Sequence, residues 1–76
     1  MNKLDRITIN PAVMTGRPCI RGMRVTVGNI LNMLAVERSR EEILAAYPYI
    51  ENADIDACLQ YAAFRVNEEE FELKPG

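Results

Sequence analysis

Three helical patterns follow one another in residues 26–66, which have the sequence TVGNILNMLAVERSREEILAAYPYIENADIDACLQYAAFRV. The first begins at Thr26, a good N-cap, and we expect it to end near residue 36. The second begins at the capping box Ser39-Arg40-Glu41-Glu42 and stops before Pro48, because proline disfavours the α region in the preceding residue. The apolar positions of these two helices recur at helical spacing: Val27, Ile30, Leu31 and Leu34, then Ile43, Leu44 and Tyr47.

The third helix is predicted to begin near Asn52, with Asp54 and Asp56 favourably placed at the positive end of its dipole. It carries two apolar stripes. The predicted core stripe consists of Ile55, Cys58, Leu59, Ala62, Ala63 and Val66, and the second stripe of Ala57, Tyr61 and Phe64. Because a domain this small has one core, the second stripe needs cover from the N-terminal arm, a second subunit or another protein.

The segment before the first helix combines arginines with turn-forming residues, in the order Gly16-Arg17-Pro18-Cys19-Ile20-Arg21-Gly22-Met23-Arg24-Val25. Ile7-Thr8-Ile9 indicates a short strand, and short extended pieces flank Arg21-Gly22. We therefore predict one mainly α domain over residues 1–66. It comprises a β-arm or hairpin over 1–25 and three helices over 26–66, and an acidic C-terminal tail follows it over 67–76.

Charge is divided unequally along the 76 residues. Residues 1–40 have a net charge of +5 and residues 41–76 a net charge of −7. This division indicates either two different binding partners or self-association of unlike ends.

The composition disfavours catalysis. Histidine is absent, and the two cysteines, Cys19 and Cys58, lack metal-ligand spacing and are predicted to be buried thiols. We expect no enzyme, no catalytic residue, no metal and no cofactor. No apolar stretch is long enough for a bilayer and no signal peptide is recognisable, so we expect a cytoplasmic protein without a membrane partner.

The second and third helices form a helix-turn-helix, but the third begins with carboxylates that would face DNA phosphate. The better candidates for nucleic-acid binding are Arg17, Arg21 and Arg24. The alternative, left open by the sequence, is that these arginines pair with acidic groups in the second half of the chain or on a partner subunit.

The tail places Phe71 and Leu73 between glutamates, a pattern that suits an extended segment docking on a partner. The alternative is a solvated acidic terminus.

The chain resembles the bacterial and archaeal family called domain of unknown function 433. The resemblance covers roughly residues 5–63, and at Met23 the chain departs from the threonine that is usual in the family. It implies a homeodomain-like three-helix fold with a short β-arm. It also implies kinship with VapB-type antitoxins, which pair with a small PIN-like ribonuclease toxin. The matching segments are Ile9-Asn10-Pro11, Gly16-Arg17-Pro18, Ile20-Arg21-Gly22, Arg24-Val25, Val27, Ile30-Leu31, Glu42-Ile43-Leu44, Tyr47-Pro48 and the helix from Asp54 to Ala62.

Three hypotheses follow. The first is an antitoxin-like module that neutralises a PIN-like ribonuclease through its third helix and tail, with Tyr61, Phe64, Glu68, Phe71 and Leu73 as the partner-binding residues. The second is a stand-alone dimeric regulator that binds operator DNA through Arg17, Arg21 and Arg24. The third is a homodimer, or larger assembly, in which the second stripe is only a subunit interface.

Overall fold

The computed structural model describes residues 3–70, with side chains described for residues 4–68. Three helices form most of this region: α1 (Val27–Ala35), α2 (Arg40–Ala46) and α3 (Asn52–Glu70). Before them lies a two-stranded antiparallel sheet of β1 (Ile7–Thr8) and β2 (Cys19–Ile20). The prediction of a mainly α, three-helix bundle with a short N-terminal hairpin is confirmed.

The helices begin and end where local chemistry predicts. Thr26 caps α1, since its hydroxyl accepts the N–H of Asn29 at 3.1 Å. Ser39 and Glu42 form the predicted capping box at α2, with the two reciprocal bonds at 3.1 Å and 2.8 Å. These bonds satisfy N–H groups that a helix start otherwise leaves without partners. α2 ends at Ala46, and α3 continues to Glu70, one turn into the segment expected to form the acidic tail.

The hairpin pairs Ile7 with Ile20 and Thr8 with Cys19, and a further antiparallel bridge joins Cys19 to Thr26. The arm is therefore joined directly to the start of α1. Its inner residues complete a core to which every helix contributes, and burial of these apolar side chains is the main source of stability. The core consists of Ile20, Val25, Val27, Ile30, Ile43, Ile50, Ile55 and Cys58.

The prediction for the faces of α3 was wrong in part. Ile55 and Cys58 are fully buried as expected, but Leu59 and Val66 are 43% and 58% exposed, and Ala63 is also exposed. Ala57, assigned to the second stripe, is buried instead. The exposed fractions show that the elements packed against α3 bury Ile55, Ala57 and Cys58 but leave Leu59, Ala63 and Val66 open. Periodicity identifies residues that share a face, not how far along the helix the core extends.

Within residues 3–70, none of the helices combines the length and the apolar composition that crossing a lipid bilayer requires.

Candidate functional site

A buried carboxylate, Asp54, joins the start of α3 to the N-terminal arm. Its Oδ1 accepts hydrogen bonds from Arg6 Nη1 at 2.9 Å and from Arg21 Nε at 3.1 Å. Its Oδ2 accepts from Arg21 Nη2 and from the backbone N–H of Glu51, both at 2.8 Å. The two oxygens thus receive four bonds, which is the full capacity of a carboxylate. We call Arg6, Arg21 and Asp54 the Asp54 cluster.

The Asp54 cluster is fully ionised at neutral pH. Burial by itself raises the pKa of Asp54, but hydrogen bonds from Arg21, from the Glu51 N–H and from Arg6 outweigh it, so the pKa lies below its ordinary value. The pKa of Arg6 is raised by its hydrogen bonds to Glu51 and Asp54, and that of Arg21 by its bond to Asp54. The cluster is a permanent charged link between arm and helix.

Arg21 reaches Asp54 because the turn at residues 21–22 is left-handed. Arg21 has a φ of 45° and Gly22 a φ of 74°, a region that favours glycine. The Arg21 N–H donates to the carbonyl of Arg6 at 2.7 Å, and the Gly22 N–H donates to the Thr8 hydroxyl at 2.8 Å. These bonds fix the turn. The Arg21 guanidinium therefore pairs with an acidic group in the second half of the same chain, which is the alternative to nucleic-acid binding that the sequence left open.

The other two predicted nucleic-acid-binding residues, Arg17 and Arg24, lie together. Both are exposed, and within the described residues neither forms an ion pair. They border a cavity of about 430 Å³ at the start of α1, with no carboxylate among its lining residues. We call it the polar groove; it is lined by Met14, Arg17, Pro18, Arg24, Thr26, Gly28, Asn29 and Asn32.

The second half of α3 extends past the core. We call residues 61–70 the projecting half of α3. Tyr61 is half-buried, Phe64 is 47% exposed, and Glu68 is exposed. Of the predicted partner-binding residues, these three therefore lie on one helix segment, whereas Phe71 and Leu73 lie outside the described residues.

A second cavity, of about 310 Å³, lies between the projecting half of α3 and the start of α1. Its walls are mainly apolar, and we call it the apolar groove. It is lined by Pro18, Val27, Gly28, Leu31, Tyr61, Ala62, Arg65 and Val66.

Both cysteines are buried and free, as predicted. Burial, with a smaller contribution from the nearby charge of Asp54, raises the pKa of Cys58 to about 12. Its thiol stays protonated at neutral pH and is therefore a poor nucleophile. Among the described side chains, no three of His, Cys, Asp or Glu are grouped so that they could hold a metal ion.

Sequence reasoning missed Arg6 and the main role of Asp54. The sequence places Asp54 only at the favourable end of the helix dipole. Asp54 also lies three residues after Glu51, the residue that precedes α3. An acidic side chain at this position typically accepts a hydrogen bond from the N–H of the residue before the helix. No local pattern marks Arg6, because its bond to Asp54 spans 48 positions.

Comparison with known proteins places this fold in a family. No curated protein matches the chain. A crystal structure of a DUF433 member protein from Anabaena variabilis ATCC 29413 superposes with a TM-score of 0.76 at 26% identity, covering 92% of this chain and 69% of that one. The model of the family described as protein of unknown function (DUF433) matches residues 7–62. The matched region contains the hairpin, α1, α2, the part of α3 up to residue 62 and, from the Asp54 cluster, Arg21 and Asp54. The chain therefore belongs to the DUF433 family.

Proposed function

We propose that this chain is an antitoxin-like binding module that neutralises a PIN-like ribonuclease by docking the projecting half of α3 on it. The observation that carries the proposal is the juxtaposition of exposed apolar side chains, Phe64 and Val66, with the exposed carboxylate of Glu68 on one helix segment outside the core. The PIN-like nature of the partner comes from the family resemblance.

The physical properties of this segment suit a protein partner. An aromatic side chain that is half exposed in the free protein gains a large apolar contact when it enters a pocket, and such residues commonly dominate interface energies. A surrounding negative charge steers the encounter towards a cationic surface. A nuclease that attracts RNA presents such a surface. The helix itself is anchored at its other end by the Asp54 cluster, so little conformational entropy is lost when it binds a partner.

The test is whether this chain inhibits RNA cleavage by a PIN-like ribonuclease, which is sought first in the adjacent reading frame. We expect the full chain to form a complex with the nuclease and to suppress cleavage. A variant that ends after Val66 keeps every residue of the core and should fold, but it loses Glu68 and the rest of the acidic tail. We expect the truncated variant to bind at least about tenfold more weakly, because each 1.4 kcal/mol of lost contact changes affinity by that factor.

Circular dichroism of the truncated variant provides the control for folding. Retained helicity with lost inhibition supports the proposal. Undiminished inhibition by the truncated variant, or the absence of any complex between the full chain and the nuclease, overturns it.

A second candidate function is DNA binding through the polar groove, as one chain or as two chains on a symmetric operator. It is favoured by the position of Arg17 and Arg24, two cations without an ion pair among the described residues, beside the amides of Asn29 and Asn32. Guanidinium and amide groups are suited to phosphates and base edges. Arg21 is no longer an equal candidate, because its guanidinium is held by Asp54.

The salt dependence of DNA affinity tests this second function. We expect Arg24→Ala to reduce the slope of log affinity against log salt by about 1, as expected for one lost phosphate contact. Arg38→Ala is the matched control, since Arg38 is an exposed arginine that lines neither groove. Equal slopes for the two variants, or no retention of the protein on DNA at low salt, contradict DNA binding.

A further inference from the structure

The polar groove and the apolar groove are neighbours that share two lining residues, Pro18 and Gly28. Gly28 lies in α1, and a Cβ built at this position meets no atom within 4 Å. At Gly28 the boundary between the grooves therefore carries no side chain and has open space above it. A helix in the apolar groove can approach the polar groove across this position.

The chain itself carries a segment whose chemistry matches both grooves in order. The projecting half of α3 presents Phe64 and, one helical turn later on the same face, the exposed Glu68, which is followed in the sequence by two more glutamates. Apolar side chains suit the apolar groove, and carboxylates suit Arg17 and Arg24. An α-helix rises about 1.5 Å per residue, so residues 61–70 span about 14 Å, which is comparable to the width of a neighbouring helix and its side chains.

We propose that the apolar groove binds the projecting half of α3 from a second copy of this chain, with Glu68 of one copy facing Arg17 and Arg24 of the other. In a two-fold pair each copy contributes one helix segment and one pair of grooves, so every contact is made twice. Arg6, Arg21 and Arg40 already pair with acidic groups of the same chain, but Arg17 and Arg24 form no ion pair among the described residues. Their positive charge favours a pairing with the exposed Glu68 of another copy.

This inference goes beyond the proposed function and does not depend on it. It assigns the two arginines of the polar groove a carboxylate ligand in the free protein. The paired form is then distinct from a DNA-bound form, because phosphate and Glu68 require the same guanidinium groups.

Sedimentation equilibrium of the purified full-length chain tests the steric part of the proposal. We expect a monomer–dimer equilibrium for the natural chain and an increase of at least about tenfold in the dissociation constant for Gly28→Phe, whose ring blocks the passage between the grooves. Ala45→Phe is the matched control, because it adds the same ring to an exposed position of α2 that lines neither groove. Both variants are checked for native helicity by circular dichroism.

Charge reversal tests the electrostatic part. We expect Arg24→Glu to weaken the dimer, and Glu68→Arg in the same chain to restore it by recreating the opposite pair between copies. Arg38→Glu should leave the dimer unchanged.

A chain that stays monomeric from micromolar to millimolar concentration, or a dimer indifferent to Gly28→Phe and to Arg24→Glu, overturns the inference. Because no nuclease is present in these measurements, that failure is separate from a failure of the proposed function.

Discussion

At the scale of single residues, Asp54 is the side chain whose burial depends most on charged and hydrogen-bonding neighbours. It has no exposed surface, and removing a charge from water is costly unless opposite charge and hydrogen bonds replace the hydration. Arg6, Arg21 and the Glu51 N–H supply that replacement. Since both arginines belong to the arm and Asp54 belongs to α3, the stability of the arm depends on one side chain.

Replacing this carboxylate should be strongly destabilising. We expect Asp54→Asn to lower the free energy of unfolding by about 3 kcal/mol, because an amide has one acceptor oxygen and turns its NH₂ group towards guanidinium donors. Urea unfolding followed by circular dichroism measures the loss. Asp56→Asn is the control: Asp56 is partly exposed and pairs with Arg40 at 2.8 Å, so its loss should cost less than about 1 kcal/mol. Equal decreases in the free energy of unfolding for the two variants would contradict the claim that Asp54 links the arm to α3.

The lowered pKa of Asp54 also predicts a pH dependence. A carboxyl group whose pKa is lower in the folded state stabilises the fold fully above its unfolded pKa, near 4, and this contribution is lost as pH falls through the folded pKa. We therefore expect the urea midpoint of the natural chain to decrease once the pH is lowered below about 5. The difference in free energy of unfolding between the natural chain and Asp54→Asn should narrow over the same range. A difference that is constant from pH 7 to pH 3 would show that Asp54 is not charged in the fold.

At the scale of elements, the starts of the helices depend on residues that are close together in the sequence. The caps at Thr26 and Ser39 involve partners three residues away, so a short window of sequence contains the whole interaction. This is why α1 and α2 begin where the sequence predicts. The Ser39-Glu42 capping box is the clearest instance, because both of its reciprocal bonds are present.

Removing the α2 cap should have a moderate effect. We expect Ser39→Ala to destabilise the fold by about 1 kcal/mol, since the N–H of Glu42 loses its acceptor. Ser39→Asp keeps an acceptor at the same place and should retain most of the stability. Urea unfolding distinguishes the two, and an Asp variant as unstable as the Ala variant would show that the cap contributes little.

The register of the hairpin and the Arg6–Asp54 bond could not be predicted, for a physical reason. The hairpin pairs residues that are 11 or more positions apart, and the Arg6–Asp54 bond spans 48, so both depend on how the elements pack. The same packing determines that α3 is covered at Ile55 and left open at Val66. The sequence singles out Arg17, Arg21, Arg24 and Phe64 as candidates, but only packing separates Arg21, bound by Asp54, from Arg17 and Arg24.

At the scale of the whole molecule, the core and the proposed binding surfaces are separated along α3. The first half of α3 is fixed by the core and by the Asp54 cluster, and the projecting half presents apolar and acidic side chains beyond them. The two grooves at the start of α1 lie beside this segment, so a nuclease, a nucleic acid and a second copy would compete for adjoining surfaces. We expect that such a small chain binds one of them at a time on this side.

The most direct test of the account is the affinity of a PIN-like ribonuclease, the proposed partner, for two alanine variants, measured by isothermal titration calorimetry. Phe64 and Val36 are both exposed apolar side chains, but only Phe64 lies on the projecting half of α3. We predict that Phe64→Ala weakens binding by about thirtyfold, the loss typical of a central aromatic contact, whereas Val36→Ala binds like the natural chain. Equal affinity of Phe64→Ala and the natural chain would contradict the claim that the projecting half of α3 is the binding surface.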